Sequence, residues 1–183
     1  PMTLTMMLTS LAIGTIITMS STHWLMAWVG LELNTLSIIP IITKYHHPRS
    51  TEATTKYFLT QAAASAMLLF ASTVNAWYTG TWDISQLTNP LACVMLTMAL
   101  AMKLGLAPLH FWLPEVLQGT SLSTALIITT WQKLAPMALM FLTHNSLNPM
   151  ILMTLGLLSA LTGGWGGLNQ TQMRKIMAFS SIA

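Results

Sequence analysis

Three ionisable residues stand inside apolar runs of this sequence: Glu32 in GLELN, Lys103 in AMKLG and Lys133 in WQKLAP. A charge at the centre of a lipid-embedded helix costs about 2.5 to 3.5 kcal/mol, so leucine would replace each of them if stability in lipid were the only requirement. One carboxylate and two amines in a dry interior have proton affinities that respond strongly to burial and to one another. Such a set can hold and release protons, and the expected chemistry is a proton relay. In that relay Glu32 pairs with one of the two lysines, and opening of the pair drives a proton onward through water and the second lysine. Chain interruptions support a pathway. Pro40, the stretch from Gly105 to Pro108, and Pro136 each follow one of the three charged groups. Breaks of this kind free backbone carbonyls that hold ions or water at membrane depth.

The elements that must position these groups follow from composition. Of 183 residues, 54% are hydrophobic and 6% are charged, whereas an ordinary soluble domain has roughly a quarter of its residues charged. The expected fold class is all-α, a polytopic transmembrane helix bundle with broken helices, forming one membrane-embedded domain over 1–183. Six spans and the start of a seventh are predicted: Leu4 to Met19, His23 to Ile42, Tyr57 to Trp77, Pro90 to at least Leu106, Leu122 to Leu142, Asn148 to Gly167, and Met177 onward. Trp24 and Trp28 are placed in an interfacial belt. Small residues from Ala62 to Ala66 read as close helix packing. Pro136 predicts a kink. The cluster Gly163, Gly164, Gly166 and Gly167 is either a tight helix contact or an exit turn. The chain starts at proline and stops inside an apolar run, so both ends are expected to be incomplete. No signal or transit peptide is visible.

Loop charges test this span count. Lys44, Arg49 and Lys56 fall between the second and third spans, and Arg174 and Lys175 between the sixth and seventh. Four crossings return the chain to the same side, as the distribution of Lys and Arg about a membrane requires. The connection from Tyr78 to Asn89 carries Asp83 and no cation, as the opposite side should. The N-terminus belongs on the positive side. The connection around Glu115 is the exception, lacking a cation of its own on that side.

Other classes are excluded by the same inventory. A formal net charge of +3 on scattered residues gives no basic stripe for nucleic acid. Neither G-x-G-x-x-G nor G-x-x-x-x-G-K-[ST] occurs, so there is no recognisable phosphate cradle for a nucleotide. One cysteine, Cys93, rules out an intrachain disulfide and any iron–sulfur cluster held by this chain alone. Cys93 reads as packing, and the methionines as adaptable filler. His46 and His47 are adjacent without a third ligand, so a metal site is not expected, and His23 and His144 fall near span ends. His110 and Glu115 form one further pair of interest. The structural reading competes with the relay throughout: Lys103 near a helix end can snorkel to the interface. Glu32 and Lys133 sit roughly ten residues from either edge of their segments, where snorkelling is harder.

Four runs carry a specific resemblance: LNTLSIIPIITKYHHPRSTEATTKYFLTQ, MALAMKLGLAPLHFWLPEV, TWQKLAP and GGWGGLNQTQMRKIMAFSS. With them the sequence resembles the antiporter-like membrane subunits of animal mitochondrial NADH:ubiquinone oxidoreductase, respiratory complex I. The resemblance covers essentially the whole chain and matches the N-terminal half of such a subunit. It implies a multi-pass protein of the mitochondrial inner membrane with its N-terminus on the matrix side. Its partners would be other membrane-arm subunits, the lipid bilayer, and protons and water as relayed species. FMN, iron–sulfur clusters and ubiquinone would lie on other subunits, with no cofactor and no metal bound by this chain. In that family a glutamate on an early helix pairs with a lysine on a broken helix, and a further lysine links onward. By motif these fall on Glu32, Lys103 and Lys133. The family's last relay lysine falls beyond Ala183. Two alternatives stay open: a stand-alone cation/proton antiporter, and a structural membrane subunit without its own proton path.

Overall fold

In the computed structural model, residues 2–43, 47–106 and 109–183 are described. Among them the secondary structure is helical: α1 (Met2–Ser20), α2 (Trp24–Ile42), α3 (Pro48–Thr79), α4 (Pro90–Leu104), α5 (Trp112–Gln118), α6 (Leu122–Thr130), α7 (Leu134–Leu142), α8 (Pro149–Leu168) and α9 (Met173–Ile182). Short 3₁₀ turns cover Ile84–Gln86 and Trp131–Lys133. Lys44 and His46, named above as loop cation and histidine, and Pro108, named as a helix interruption, lie outside the described residues.

The helix starts are written in dipeptides. His47-Pro48, Asn89-Pro90 and Asn148-Pro149 each place a side-chain acceptor at the cap and proline at the first helical position. The cap satisfies a first-turn N–H, and proline needs no partner there. Asn89 takes the N–H groups of Leu91 at 2.9 Å and Ala92 at 3.2 Å.

Five stretches have the length and apolarity of a span: Met2–Ser20, Trp24–Ile42, Pro48–Thr79, Leu122–Leu142 and Pro149–Leu168. The expected fourth span is shorter than predicted. Helix α4 has 15 residues, about 22 Å at 1.5 Å each, short of the roughly 30 Å of hydrocarbon. The crossing is completed by α5 after a break. At one end Asn75 of α3 accepts from the Thr88 N–H at 3.2 Å, beside the start of α4. At the other, the backbone at Gly119 touches Ala53 and Arg49 near the start of α3. The connection around Glu115 is therefore a short helix and not a loop. Pro40 is also less disruptive than expected, because α2 runs through it and ends two residues later at Ile42. The last helix begins at Met173, earlier than predicted.

Hydrogen bonds define two ends of the bundle. At one, Ser50 Oγ donates to the Ile42 carbonyl at 2.7 Å, Gln118 Nε2 donates to Gln172 Oε1 at 3.1 Å, and Arg174 donates to the Gln118 carbonyl at 3.3 Å. This end gathers Arg49, Arg174 and the start of α9. At the other, Trp24 N–H donates to the Trp82 carbonyl at 3.0 Å and His23 stacks on Trp82 with centroids 5.7 Å apart. Trp24, at the start of α2, is fully buried in the core. Trp77 and Tyr78, at the end of α3, are exposed.

The glycine cluster is a helix contact. A methyl group built on Gly163 would lie 2.6 Å from the Ala183 backbone nitrogen and 2.8 Å from the Phe179 carbonyl oxygen. Small residues also let α1 and α2 meet, since a methyl on Gly14 would lie 2.9 Å from the Gly30 carbonyl oxygen.

Candidate functional site

Two apolar clusters leave a polar layer between them. The first contains Trp24, Leu31, Leu68, Leu96, Leu100 and Leu139. The second contains Leu11, Ile38, Tyr57, Trp112, Val116 and Ile128. Along α2, Leu31 belongs to the first and Ile38 to the second; along α3, Leu68 belongs to the first and Tyr57 to the second. The residues between them are Glu32, Asn34 and Thr35 on α2, and Gln61, Ala64 and Ser65 on α3. Lys103 follows Leu100 on α4 into the same layer. A helix that changes cluster along its length must pass its polar residues through mid-depth.

Lys103 is buried, with 5% of its surface exposed. That excludes the snorkelling position for it in this fold. It stands two residues before Gly105, whose φ of +77° ends α4. The Gly105 N–H donates to the Met102 carbonyl at 3.3 Å and the Leu106 N–H to the Ala101 carbonyl at 3.0 Å. This pair of bonds is the Schellman pattern, which satisfies freed carbonyls within the chain. The indole N–H of Trp112 donates to the Met102 carbonyl at 3.0 Å, so the segment beyond the break also seals the end of α4.

Lys133 sits in the second break. Pro136 cannot donate a hydrogen bond, and its ring crowds the carbonyl four residues back, that of Gln132. The α-helix accordingly tightens to a 3₁₀ turn over Trp131–Lys133 before α7 begins. The distortion thus precedes Pro136 and carries Lys133 itself. Half-buried Lys133 donates from Nζ to the Ser181 carbonyl at 2.9 Å and to the Ser181 hydroxyl. Sequence reasoning missed Ser181, which lies 48 residues away in the chain.

Glu32 is half-buried and lies within electrostatic reach of Lys103. It forms no direct ion pair with either lysine: among the described residues, the ion pairs within 4.0 Å are those of Lys56 with Glu52 at 2.9 Å and with Glu115 at 3.0 Å. Glu115 thus takes its cation from α3, which accounts for the connection that lacked one, and Lys56 is its salt-bridge partner. The ring of His110 stacks on Phe111 with centroids 4.5 Å apart.

The layer holds further polar groups that composition did not single out. Thr15 on α1 lies 3.5 Å from Asn34 Oδ1 and accepts from the Trp131 indole at 3.1 Å, which links α1, α2 and the second break. Glu32 Oε1, Gln61 Nε2, Ser65 Oγ, His110 Nδ1 and Gln132 Nε2 are buried without a hydrogen-bond partner among the described residues. The signal for Gln61 and Ser65 was their four-residue spacing on one helix face, hidden in a run read as small-residue packing. Among the described residues no cluster of three His, Cys, Asp or Glu is suited to a metal ion.

Comparison with known proteins places this arrangement. The family described as NADH:quinone oxidoreductase/Mrp antiporter, transmembrane, matches residues 21–183. The chain is 65% identical over all 183 residues to NADH-ubiquinone oxidoreductase chain 2 of Xenopus laevis, covering 53% of it. It is 63% identical over the same length to the protein of that name from Oncorhynchus mykiss, covering 52%. It therefore spans about half the length of the curated relatives it matches. A chain of respiratory complex I from Thermus thermophilus superposes with a TM-score of 0.93 at 29% identity, over 100% of this chain and 43% of that one. A chain of the Mrp complex from Dietzia shares the fold, with a TM-score of 0.87 at 17% identity over 94% of this chain and 36% of its own. Broken helices carrying buried lysines, and a family match over nearly the whole sequence, lead to one statement: the chain is a membrane protein belonging to the NADH:quinone oxidoreductase/Mrp antiporter transmembrane family.

Proposed function

We propose that this chain is the N-terminal half of a membrane-arm subunit of animal mitochondrial NADH:ubiquinone oxidoreductase, and that Glu32, Lys103 and Lys133 relay protons within it. The observation that carries the reading is Lys103, a cation buried in the polar layer at a helix break, within electrostatic reach of a half-buried carboxylate. The relay runs between groups that hold one proton each. Glu32 lies within electrostatic reach of Lys103. Separation of the two groups drives the Lys103 proton onward through water. The next group in the relay is Lys133, which Ser181 holds through its carbonyl and hydroxyl. Water completes the path. A buried polar atom left without a partner costs about 1–3 kcal/mol, and buried water relieves that cost where several polar groups converge. Gln61, Ser65 and Gln132 supply such atoms in this layer.

Electron transfer from NADH to ubiquinone belongs to other subunits, which carry FMN and iron–sulfur clusters. One cysteine, buried Cys93, is the wrong donor set for a cluster. The location is the mitochondrial inner membrane, and the cationic end with the N-terminus faces the matrix. The partners are other membrane-arm subunits and lipid, with water and protons as the species moved.

The test is proton movement by the assembled full-length complex in sealed vesicles. Lys103→Ala and Lys133→Ala are each expected to abolish it while the complex still assembles. Full pumping by both variants overturns the relay. A stand-alone cation/proton antiporter is the second reading, favoured by the fold shared with the Mrp complex. Co-purification of the full chain with flavin and iron–sulfur subunits decides against it.

A further inference from the structure

The cationic end of the bundle contains two neighbouring hollows that the proton relay does not use. One, of about 360 Å³, is lined by His47, Arg49, Gln118, Ser121 and Arg174 together with Ile41 and Ile42 at the end of α2. The second, of about 410 Å³, shares Arg49, Gln118 and Arg174 and adds Gln172 and Leu122. Both arginines thus line both hollows. The acids at this end are already engaged, because Lys56 holds Glu52 and Glu115 at 2.9 and 3.0 Å. Neither arginine has a carboxylate within 4.0 Å among the described residues. Among the described residues Arg174 makes one hydrogen bond, to the Gln118 carbonyl at 3.3 Å, which leaves the rest of its fork of donors for another acceptor. Helix α9 starts beside it at Met173 with no side-chain cap, so first-turn N–H groups add to the positive potential.

We propose that this double hollow is a binding site for a phosphate-bearing anion, and that its physiological occupant is the headgroup of an anionic phospholipid. The two guanidinium groups, Arg49 within electrostatic reach of Glu52 and Arg174 bonded once to the Gln118 carbonyl, keep donors that match phosphate oxygens in pairs. Position selects the lipid: the hollows lie where two apolar spans end, at Ile41 and Ile42 of Trp24–Ile42 and at Leu122 of Leu122–Leu142. Leu122 is exposed where acyl chains would run. Basic pockets between membrane helices on one side of the bilayer recognise phospholipid headgroups in this way. The site is independent of the relay, since Arg49 and Arg174 lie at the end of the bundle and Lys103 lies at mid-depth.

The test uses the intact complex containing the full chain, stripped of loosely held lipid in detergent and then titrated with phosphatidylglycerol. Bound lipid is counted by native mass spectrometry. Removing one cation near a membrane surface forfeits about 1 kcal/mol, so Arg49→Gln and Arg174→Gln should each weaken one lipid site about fivefold. The double variant should lose that lipid, whereas Asp83→Asn at the opposite end should not. Phosphatidylcholine should not fill the site. Inorganic phosphate is the second arm. If phosphate displaces the lipid with the same dependence on both arginines, the anion site stands and its source is reassigned to free phosphate. Lipid retention unchanged in the double variant overturns the proposal. Should the glutamine variants fail to assemble, Arg49→Lys and Arg174→Lys keep the charge and lose the fork. They should weaken retention, and rising salt should release the lipid from the unsubstituted complex. Salt-insensitive retention overturns the electrostatic assignment.

Discussion

At the scale of single residues, the three charged groups in apolar runs have three different environments. Lys103 is enclosed, Lys133 is tethered to Ser181, and Glu32 acts on Lys103 without touching it at ion-pair distance. The tether is testable apart from transport. Ser181→Ala removes one of two acceptors at Lys133 Nζ and leaves the carbonyl. The expected cost is about 1 kcal/mol, read as a lower thermal midpoint by tryptophan fluorescence of the assembled complex. An unchanged midpoint would mean that the carbonyl alone holds the ammonium. The sequence made Glu32, Lys103 and Lys133 conspicuous because charge in an apolar run is visible without any partner. Ser181, Gln61 and Ser65 were not visible, because a serine or glutamine becomes functional only through what faces it.

At the scale of elements, both breaks arise from local rules. A left-handed glycine ends α4, and Pro136 perturbs the turn that starts five residues earlier at Trp131. Gly105→Ala places a side chain at φ +77°, a conformation that costs a non-glycine residue about 1–2 kcal/mol. It should lower the thermal midpoint and reduce proton movement together, because Lys103 is two residues away. Gly156→Ala is the contrast. That glycine lies in α8 with nothing within 4 Å of an added methyl group, and alanine favours helix over glycine by about 1 kcal/mol. The midpoint should rise or stay level, and a fall would show that something packs on that face in the complex. Gly119→Ala is expected to be the most damaging of the three, since the methyl would lie 2.6 Å from both the Ala53 Cβ and the Arg49 carbonyl oxygen. It would push α5 from α3 and open the Lys56–Glu115 pair, so assembly of the complex should fall. Periodicity did not reveal α5 as a helix, since seven residues between a break and a turn are too few to show a repeat.

At the scale of the whole molecule, charge sorts the two ends. Arg49, Arg174 and Lys175 lie in the first turns of helices at one end, with Lys56 two turns into α3, and Asp83 lies at the other. On the proposed orientation, the cysteine of Lys175→Cys in mitochondria should react with a membrane-impermeant maleimide only when the matrix face is open. A cysteine at Asp83 should react from the intermembrane face. Cys93, 8% exposed, should stay unlabelled in both cases. Labelling of both substituted positions from one side would refute the crossing count.

Membrane residence, the approximate spans, the charge asymmetry and the three unusual ionisable residues are properties of residue type along a line. Hydrocarbon tests each segment almost alone, so the sequence determined them. Tertiary packing decided the rest: that α4 needs α5 to finish its crossing, that Trp24 turns inward, that Glu115 finds its cation on α3, and that Arg49 and Arg174 share a hollow. The physical reason is distance in the chain. Each of these facts depends on which helix faces which, and that is fixed by side chains meeting across the bundle, such as Ala53 against the bare backbone of Gly119.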